Sequence, residues 1–281
     1  QPDGNLIVVG SFTKYNGTTV NRIARVLVNG NLDSSFNTGA AATSGIEDVA
    51  LTPDGKIVVS GTFSSFNGNT NYSKLVRLNT NGSIDTTFSI GTGFDDAIEA
   101  IAVQPDSKIL VGGSFLNYNG TTQNRIVRLN MNGTVDSSFL SGTGFSNGSV
   151  QALHATSGGI LVGGSFSDKY KTTDVNRLIL LNSNGTLNTN FDIGAGPSSA
   201  TIYTLCESSD SFFIGGSFSF FDDLKQGKLA KISTTGELDS GYLTAGVGFD
   251  KAVEKIIQMN DGSFIAFGSF TQFNGKPINR I

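Results

Sequence analysis

Short apolar runs rich in Val, Ile, Leu and Phe alternate along this chain with clusters of Asn, Gly, Ser, Thr and Asp, and apolar residues at helical spacing are missing. The stretch from residue 98 shows the pattern. Residues 98–103 (IEAIAV) predict a strand, residues 104–107 (QPDS) a turn, and residues 108–115 (KILVGGSF) a strand whose dense apolar run suits burial on both faces. A polar loop over 116–123 holds Tyr118-Asn119-Gly120. Residues 124–130 (NRIVRLN) and 134–139 (TVDSSF) then predict a second hairpin around Asn132-Gly133, before Gly142-Thr143-Gly144-Phe145 restarts the pattern.

That restart is periodic. Gly-(Ser/Thr)-Phe occurs six times, with its phenylalanine at Phe12, Phe63, Phe115, Phe166, Phe218 and Phe270, 51 or 52 residues apart. Four short strands per copy predict the blade of a β-propeller, whereas a β-solenoid coil is usually shorter and an α-solenoid would show a 3.6-residue period. The expected fold is all-β: a β-propeller of about six four-stranded blades, with the first strand of copy one and the last two of copy six absent or truncated. Without a composition break, residues 1–281 read as a single propeller domain. The chain opens in mid-repeat at Gln1-Pro2-Asp3-Gly4 and stops in mid-repeat at Asn279-Arg280-Ile281, which predicts that it is part of a longer protein.

Residues 1–26 (QPDGNLIVVGSFTKYNGTTVNRIARV) and 104–145 resemble the bacterial delta-60 repeat, and the likeness covers nearly the whole chain. It is weaker in copies four and five, where His154-Ala155-Thr156-Ser157-Gly158-Gly159 and Cys206-Glu207-Ser208-Ser209-Asp210-Ser211 replace the Pro-Asp turn. The resemblance implies a propeller in a bacterial secreted or cell-surface protein, and it carries no catalytic residues to transfer.

One pairing can be read from the copies themselves. A three-residue loop Met131-Asn132-Gly133 with a left-handed glycine places Leu129 opposite Val135 and Arg128 opposite Asp136. The same register pairs Arg25 with Asp33, Arg77 with Asp85 and Lys231 with Asp239. In copy four both members change together, to Leu180 and Asn188. These are expected to be cross-strand ion pairs that fix register, each worth about 0.2–1 kcal/mol if exposed.

Composition narrows the chemistry. Nineteen Lys and Arg against 23 Asp and Glu give a net charge of −4, and without a basic run a nucleic-acid partner is not expected. No apolar run reaches transmembrane length, so membrane insertion of this region is not expected. The single cysteine, Cys206, excludes an internal disulfide, and the single histidine, His154, excludes a histidine metal cluster. His154 holds the place of Ala102 and Cys206 in neighbouring copies, an ordinary strand position. The string from Asn79 to Asp85 lacks the first acid and the final glutamate of a calcium loop, and Gly91-Thr92-Gly93-Phe94 lacks the third glycine of a dinucleotide fingerprint. Asn-x-Ser/Thr strings, as at Asn16, Asn71 and Asn119, coincide mostly with turns. No catalytic residue, metal or cofactor is expected.

Two repeated sets are left as binding candidates. Tyr15, Phe66, Tyr118, Tyr170, Phe221 and Phe273 follow the marker phenylalanine by three or four residues; exposed, they would stack on sugars or anchor a protein, and folded under their loops they would be corner packing. Glu47, Glu99 and Glu254, with Gln151 and Tyr203 between them, open the first strand of successive copies and would form a partly acidic channel mouth if that strand lines the centre of the ring. The expected function is non-enzymatic: a binding or scaffold module of a bacterial secreted or surface protein, presenting loops to a protein or glycan in the manner of an adhesin. The alternatives are a propeller lyase or hydrolase and a structural spacer, since fold alone does not choose among them.

Overall fold

The computed structural model describes residues 1–243, 247–259, 261–278 and 280–281. Among these the only helical segment is one 3-10 turn, Thr70–Tyr72, and everything else is strand, turn or loop. The chain divides into two compact units, Gln1–Ser137 and Ser138–Ile281.

In the first unit copy one contributes the pair Leu6–Val9 and Ile23–Val26. Copy two is an antiparallel sheet of Ile46–Leu51, Ile57–Gly61 and Leu75–Leu78, and copy three repeats it with Ile98–Val103, Ile109–Gly113 and Ile126–Leu129, the second strand central in both. Every residue of the two central strands is buried, as their unbroken apolar runs require. In the second unit Val150–Thr156, Gly159–Gly164 and Leu178–Leu181 form one such sheet, Ile202–Glu207, Ser211–Gly216 and Leu229–Ser233 another, and Val253–Gln258 pairs with Phe264–Gly268.

Where the pattern predicts a fourth strand, the structure has a single bridge: Val26 to Leu32, Leu78 to Ile84, Leu129 to Val135, Leu181 to Leu187 and Ile232 to Leu238. The residue after the bridge explains the truncation. Asp33, Asp85 and Asp239 turn a side-chain oxygen onto the N–H two residues on, at 2.9, 3.0 and 3.0 Å, which bends the chain out of the ladder.

The marker tripeptide has an equally local cause. Each complete first strand carries a β-bulge, at Glu47, Glu99, Gln151, Tyr203 and Glu254, where the pairing skips one residue. The bulge pushes a carbonyl oxygen, that of Gly45, Ala97, Ser149, Thr201 or Ala252, into the space a Cβ would need at Gly61, Gly113, Gly164, Gly216 or Gly268. The next residue's N–H donates to that same oxygen, for example Ser114 to Ala97 at 3.0 Å and Ser217 to Thr201 at 2.9 Å. Glycine admits the carbonyl, serine or threonine binds it, and the phenylalanine that follows anchors the core: Phe63, Phe115, Phe166, Phe218 and Phe270 are fully buried. Each such ring contributes roughly 2–3 kcal/mol by its burial.

Candidate functional site

The aromatic set lies on small hairpins that the sequence shows only as polar loops. Asn117–Tyr118 pairs with Thr121–Thr122 around Asn119 and Gly120, whose φ values of 49° and 73° make the tight turn that Asn-Gly favours. The hairpin folds its ring inward. Phe66, Tyr118, Tyr170 and Phe221 are buried, and only Tyr15 and Phe273 are partly open. Phe94 sits between Phe115 at 4.7 Å and Tyr118 at 4.5 Å, Phe145 between Phe166 and Tyr170, and Phe249 between Phe270 and Phe273. The hydroxyls of Tyr15, Tyr118 and Tyr170 donate to the turn carbonyls of Gly30, Gly133 and Gly185 at 2.5–2.6 Å. As an exposed stacking surface the set must therefore be corrected: Phe66, Tyr118, Tyr170, Phe221 and Phe273 each pack on an aromatic partner beneath their own loops, and Tyr15 is tied to its turn through its hydroxyl.

Burial pushes the Tyr118 and Tyr170 hydroxyls well above the ordinary phenol range. Folded pKa values above the unfolded value of about 10 give stability that is complete below pH 10 and is lost as pH rises beyond it. The double variant Tyr118→Phe/Tyr170→Phe is expected to cost about 1 kcal/mol per lost hydrogen bond at pH 7 and to show a shallower loss of stability above pH 10. Thermal melts at pH 7 and above pH 10 check this; copies two, five and six already accept phenylalanine there.

The acidic set marks the bulges. Glu47 and Glu254 are exposed, and Glu99 is half-buried and accepts a 2.5 Å hydrogen bond from the Ser114 hydroxyl. No three of the His, Cys, Asp and Glu side chains among the described residues are arranged to hold a metal. His154 lies 3.4 Å from Glu207 on the first strand of the next copy. Cys206 is buried, which pushes its thiol pKa up and away from reactive thiolate chemistry.

All four cross-strand pairs form: Arg25 with Asp33 at 2.7 Å, Arg77 with Asp85 at 2.8 Å, Arg128 with Asp136 at 2.7 Å and Lys231 with Asp239 at 3.1 Å. The pairs of copies two and three are buried, whereas Lys231 and Asp239 are partly open. Arg77 and Asp85 are 3% and 4% exposed, and Lys56 adds a second cation 2.9 Å from Asp85. Burial raises the Asp85 pKa, but hydrogen bonds from Lys56, Thr87 and Arg77 outweigh it and hold the carboxyl far below the usual range. The arginines also reach between copies. Arg25 donates to the Thr80 carbonyl and Arg77 to the Met131 carbonyl, both at 2.6 Å, each in the turn of the following copy, while stacking on Phe36 and Phe88. Beside them the main chain makes the same joint: the N–H of Asn37 donates to the Asn81 carbonyl and that of Ser89 to the Asn132 carbonyl, as Leu140 does to Asn184 and Asp192 to Thr235 in the second unit.

One set escapes sequence reasoning. Arg22, Lys74, Arg125, Arg177, Lys228 and Arg280 all hold left-handed backbone, with φ between 61° and 73°. The signal was a basic residue before every third strand. Lys74 gives its N–H to the Phe63 carbonyl, accepts from Gly61, and sends its ammonium to the Phe94 carbonyl of the next copy at 3.1 Å; Arg22 reaches Ala42 likewise at 2.8 Å.

The repeated polar and aromatic residues are thus spent on joints within and between copies. No helix among the described residues is long and apolar enough to cross a membrane. Among solved structures, the chain is similar to the extracellular domain of BT4673 from B. thetaiotaomicron, with 15% identity and a TM-score of 0.55 over 96% of this chain and 32% of that one. It is also similar to Saccharomyces cerevisiae Sqt1, with 13% identity and a TM-score of 0.52 over 87% of this chain and 62% of that one. The chain thus spans about a third of the first protein's length and under two thirds of the second's. No curated protein matches it in sequence. Residues 1–36, 52–88, 104–139 and 157–191, just over half the chain, match a β-propeller family described as a domain of unknown function, DUF5122, and the chain belongs to that family.

Proposed function

We propose that this propeller is a non-enzymatic binding module of a bacterial secreted or cell-surface protein, presenting its loops to a protein or glycan partner. The observation that carries the reading is where the recurrent chemistry goes. Asp33, Asp85, Asp136 and Asp239 are each held by a cation, and the buried aromatic rings face one another, so the groups that recur from copy to copy serve the scaffold. The exposed side chains vary from copy to copy, and they are the part of a repeat protein that partners meet. The likeness to the delta-60 repeat supports the surface setting.

Antibody or protease labelling of intact cells carrying the full-length protein is expected to reach this region. Glycan and peptide arrays probed with the domain are expected to return saturable binding without turnover. A lyase or hydrolase activity abolished by a point change in this domain would overturn the reading.

A further inference from the structure

In copies two and three the buried aspartate takes two cations. Asp85 meets Arg77 and Lys56, and Asp136 meets Arg128 and Lys108, each lysine ammonium standing 2.9 Å from the carboxylate. Both lysines precede the marker phenylalanine by seven residues. In copy five that place is Ser211, and the aspartate, Asp239, keeps only Lys231 at 3.1 Å.

The space that the missing lysine would fill is open. A cavity of about 290 Å³ is lined by Asp210, Ser211, Lys231, Glu237, Leu238 and Asp239. Ser211, one of the lining residues, is only 4% exposed, and its hydroxyl has no hydrogen-bond partner. Such an orphaned group costs stability unless something comes to meet it. The charge has changed in the same direction. Asp210 and Glu237 stand where copies two and three have Gly55 and Ser83, or Ser107 and Thr134, while Ser209 replaces Asp54 or Asp106, so copy five has lost one cation and gained one acid on balance around the same seat.

We propose that this cavity binds a primary alkylammonium group supplied from outside the domain, with Asp239, Glu237 and Asp210 giving the charge and the Ser211 hydroxyl accepting one of its N–H bonds. The proposal deepens the binding-module reading and names its ligand chemistry at one place. The sister copies define the occupant: a compact ammonium on a flexible alkyl stem, seated beside a carboxylate. Three carboxylates against one ammonium leave the seat with an excess of negative charge, while their arrangement is not one that would hold a metal. A lysine side chain of a protein partner and a free alkylamine share this chemistry.

The test is a titration of the domain at low ionic strength, followed by amide NMR, with n-butylammonium and with a short lysine peptide. N-butylacetamide and the Nε-acetylated peptide are the neutral counterparts. Saturable shifts at Ser211, Glu237 and Leu238 are expected with the two cations only, weakening as salt is added. Preference for the peptide assigns the source to a protein partner, and preference for butylammonium assigns it to a free amine. Ser211→Lys restores the lysine of copies two and three; it is expected to abolish the shifts and raise the melting temperature. Should that variant fail to fold, Glu237→Gln and Asp210→Asn at the rim are each expected to weaken binding roughly threefold. No saturable shift with either cation, equal binding of the neutral counterparts, or binding unchanged by these substitutions overturns the proposal. The binding-module reading would survive that outcome, because arrays and cell labelling test it separately.

Discussion

Gly113→Ala is expected to destabilise the domain by about 3 kcal/mol, as much as a severe overpacking of the core. The reason is geometric. The bulge at Glu99 drives the Ala97 carbonyl into the position a methyl group would occupy, and that oxygen is pinned by the Ser114 N–H, so relief requires main-chain movement in two strands at once. Gly30→Ala provides the control. Gly30 is left-handed, with φ of 82°, but nothing lies within 4 Å of an added Cβ, so only the backbone cost of about 1 kcal/mol is expected. Denaturant or thermal melts of the two variants check the ratio, and equal losses would mean that the bulge does not require the glycine.

The second large effect is expected at Asp85. Asp85→Asn should cost about 3–5 kcal/mol, because it leaves the buried Arg77 and the ammonium of Lys56 facing an amide. Arg77→Leu should cost less, since Lys56 still serves the carboxylate. The double variant Arg77→Leu/Asp85→Asn should lie well below the sum, with a coupling of about 1–3 kcal/mol, since it copies what copy four does with Leu180 and Asn188. The acid limb gives an independent readout. The folded pKa of Asp85 lies below its unfolded value of about 4, so the aspartate's contribution is present above pH 4 and is lost as pH falls toward the folded value; Asp85→Asn should flatten that fall. Additive single effects together with an unchanged acid limb would remove the pair from the account of stability.

The strands, their order and the Arg-Asp register were legible in the sequence because each rests on contacts a few residues apart, copied along the chain. Leu129 opposite Val135 needs only the length of one loop and one left-handed glycine. The shrinking of the fourth strand to a bridge was not legible, because Asp85 reads equally well as a strand residue and as the start of an Asx turn until its side chain is seen on Thr87. The aromatic rings were ambiguous for a related reason. A tyrosine three residues past a buried phenylalanine is compatible with both faces of a loop, and the Phe94 ring that decides the matter comes from the segment between copies. The basic residues before each third strand were hidden more deeply, since neither arginine nor lysine is expected in left-handed backbone. The copy-five seat lies between these extremes: Ser211 could be aligned with Lys56 by counting, but its unpartnered hydroxyl appears only in three dimensions.

The joint between neighbouring copies is made in large part by main-chain groups, N–H of Asn37 to carbonyl of Asn81 and N–H of Ser89 to carbonyl of Asn132, with their counterparts at Leu140 and Asp192. A joint of that kind does not depend on which side chains flank it. One unit can stand beside another whose surface has drifted, as copy four stands beside copy five after losing its own ion pair. Duplication or exchange of whole copies in register therefore preserves the scaffold, whereas inserting one or two residues between the bridge and the next bulge would break two joints together. Such a chain evolves as interchangeable parts, in which length changes by whole repeats and novelty arises by altering a single seat.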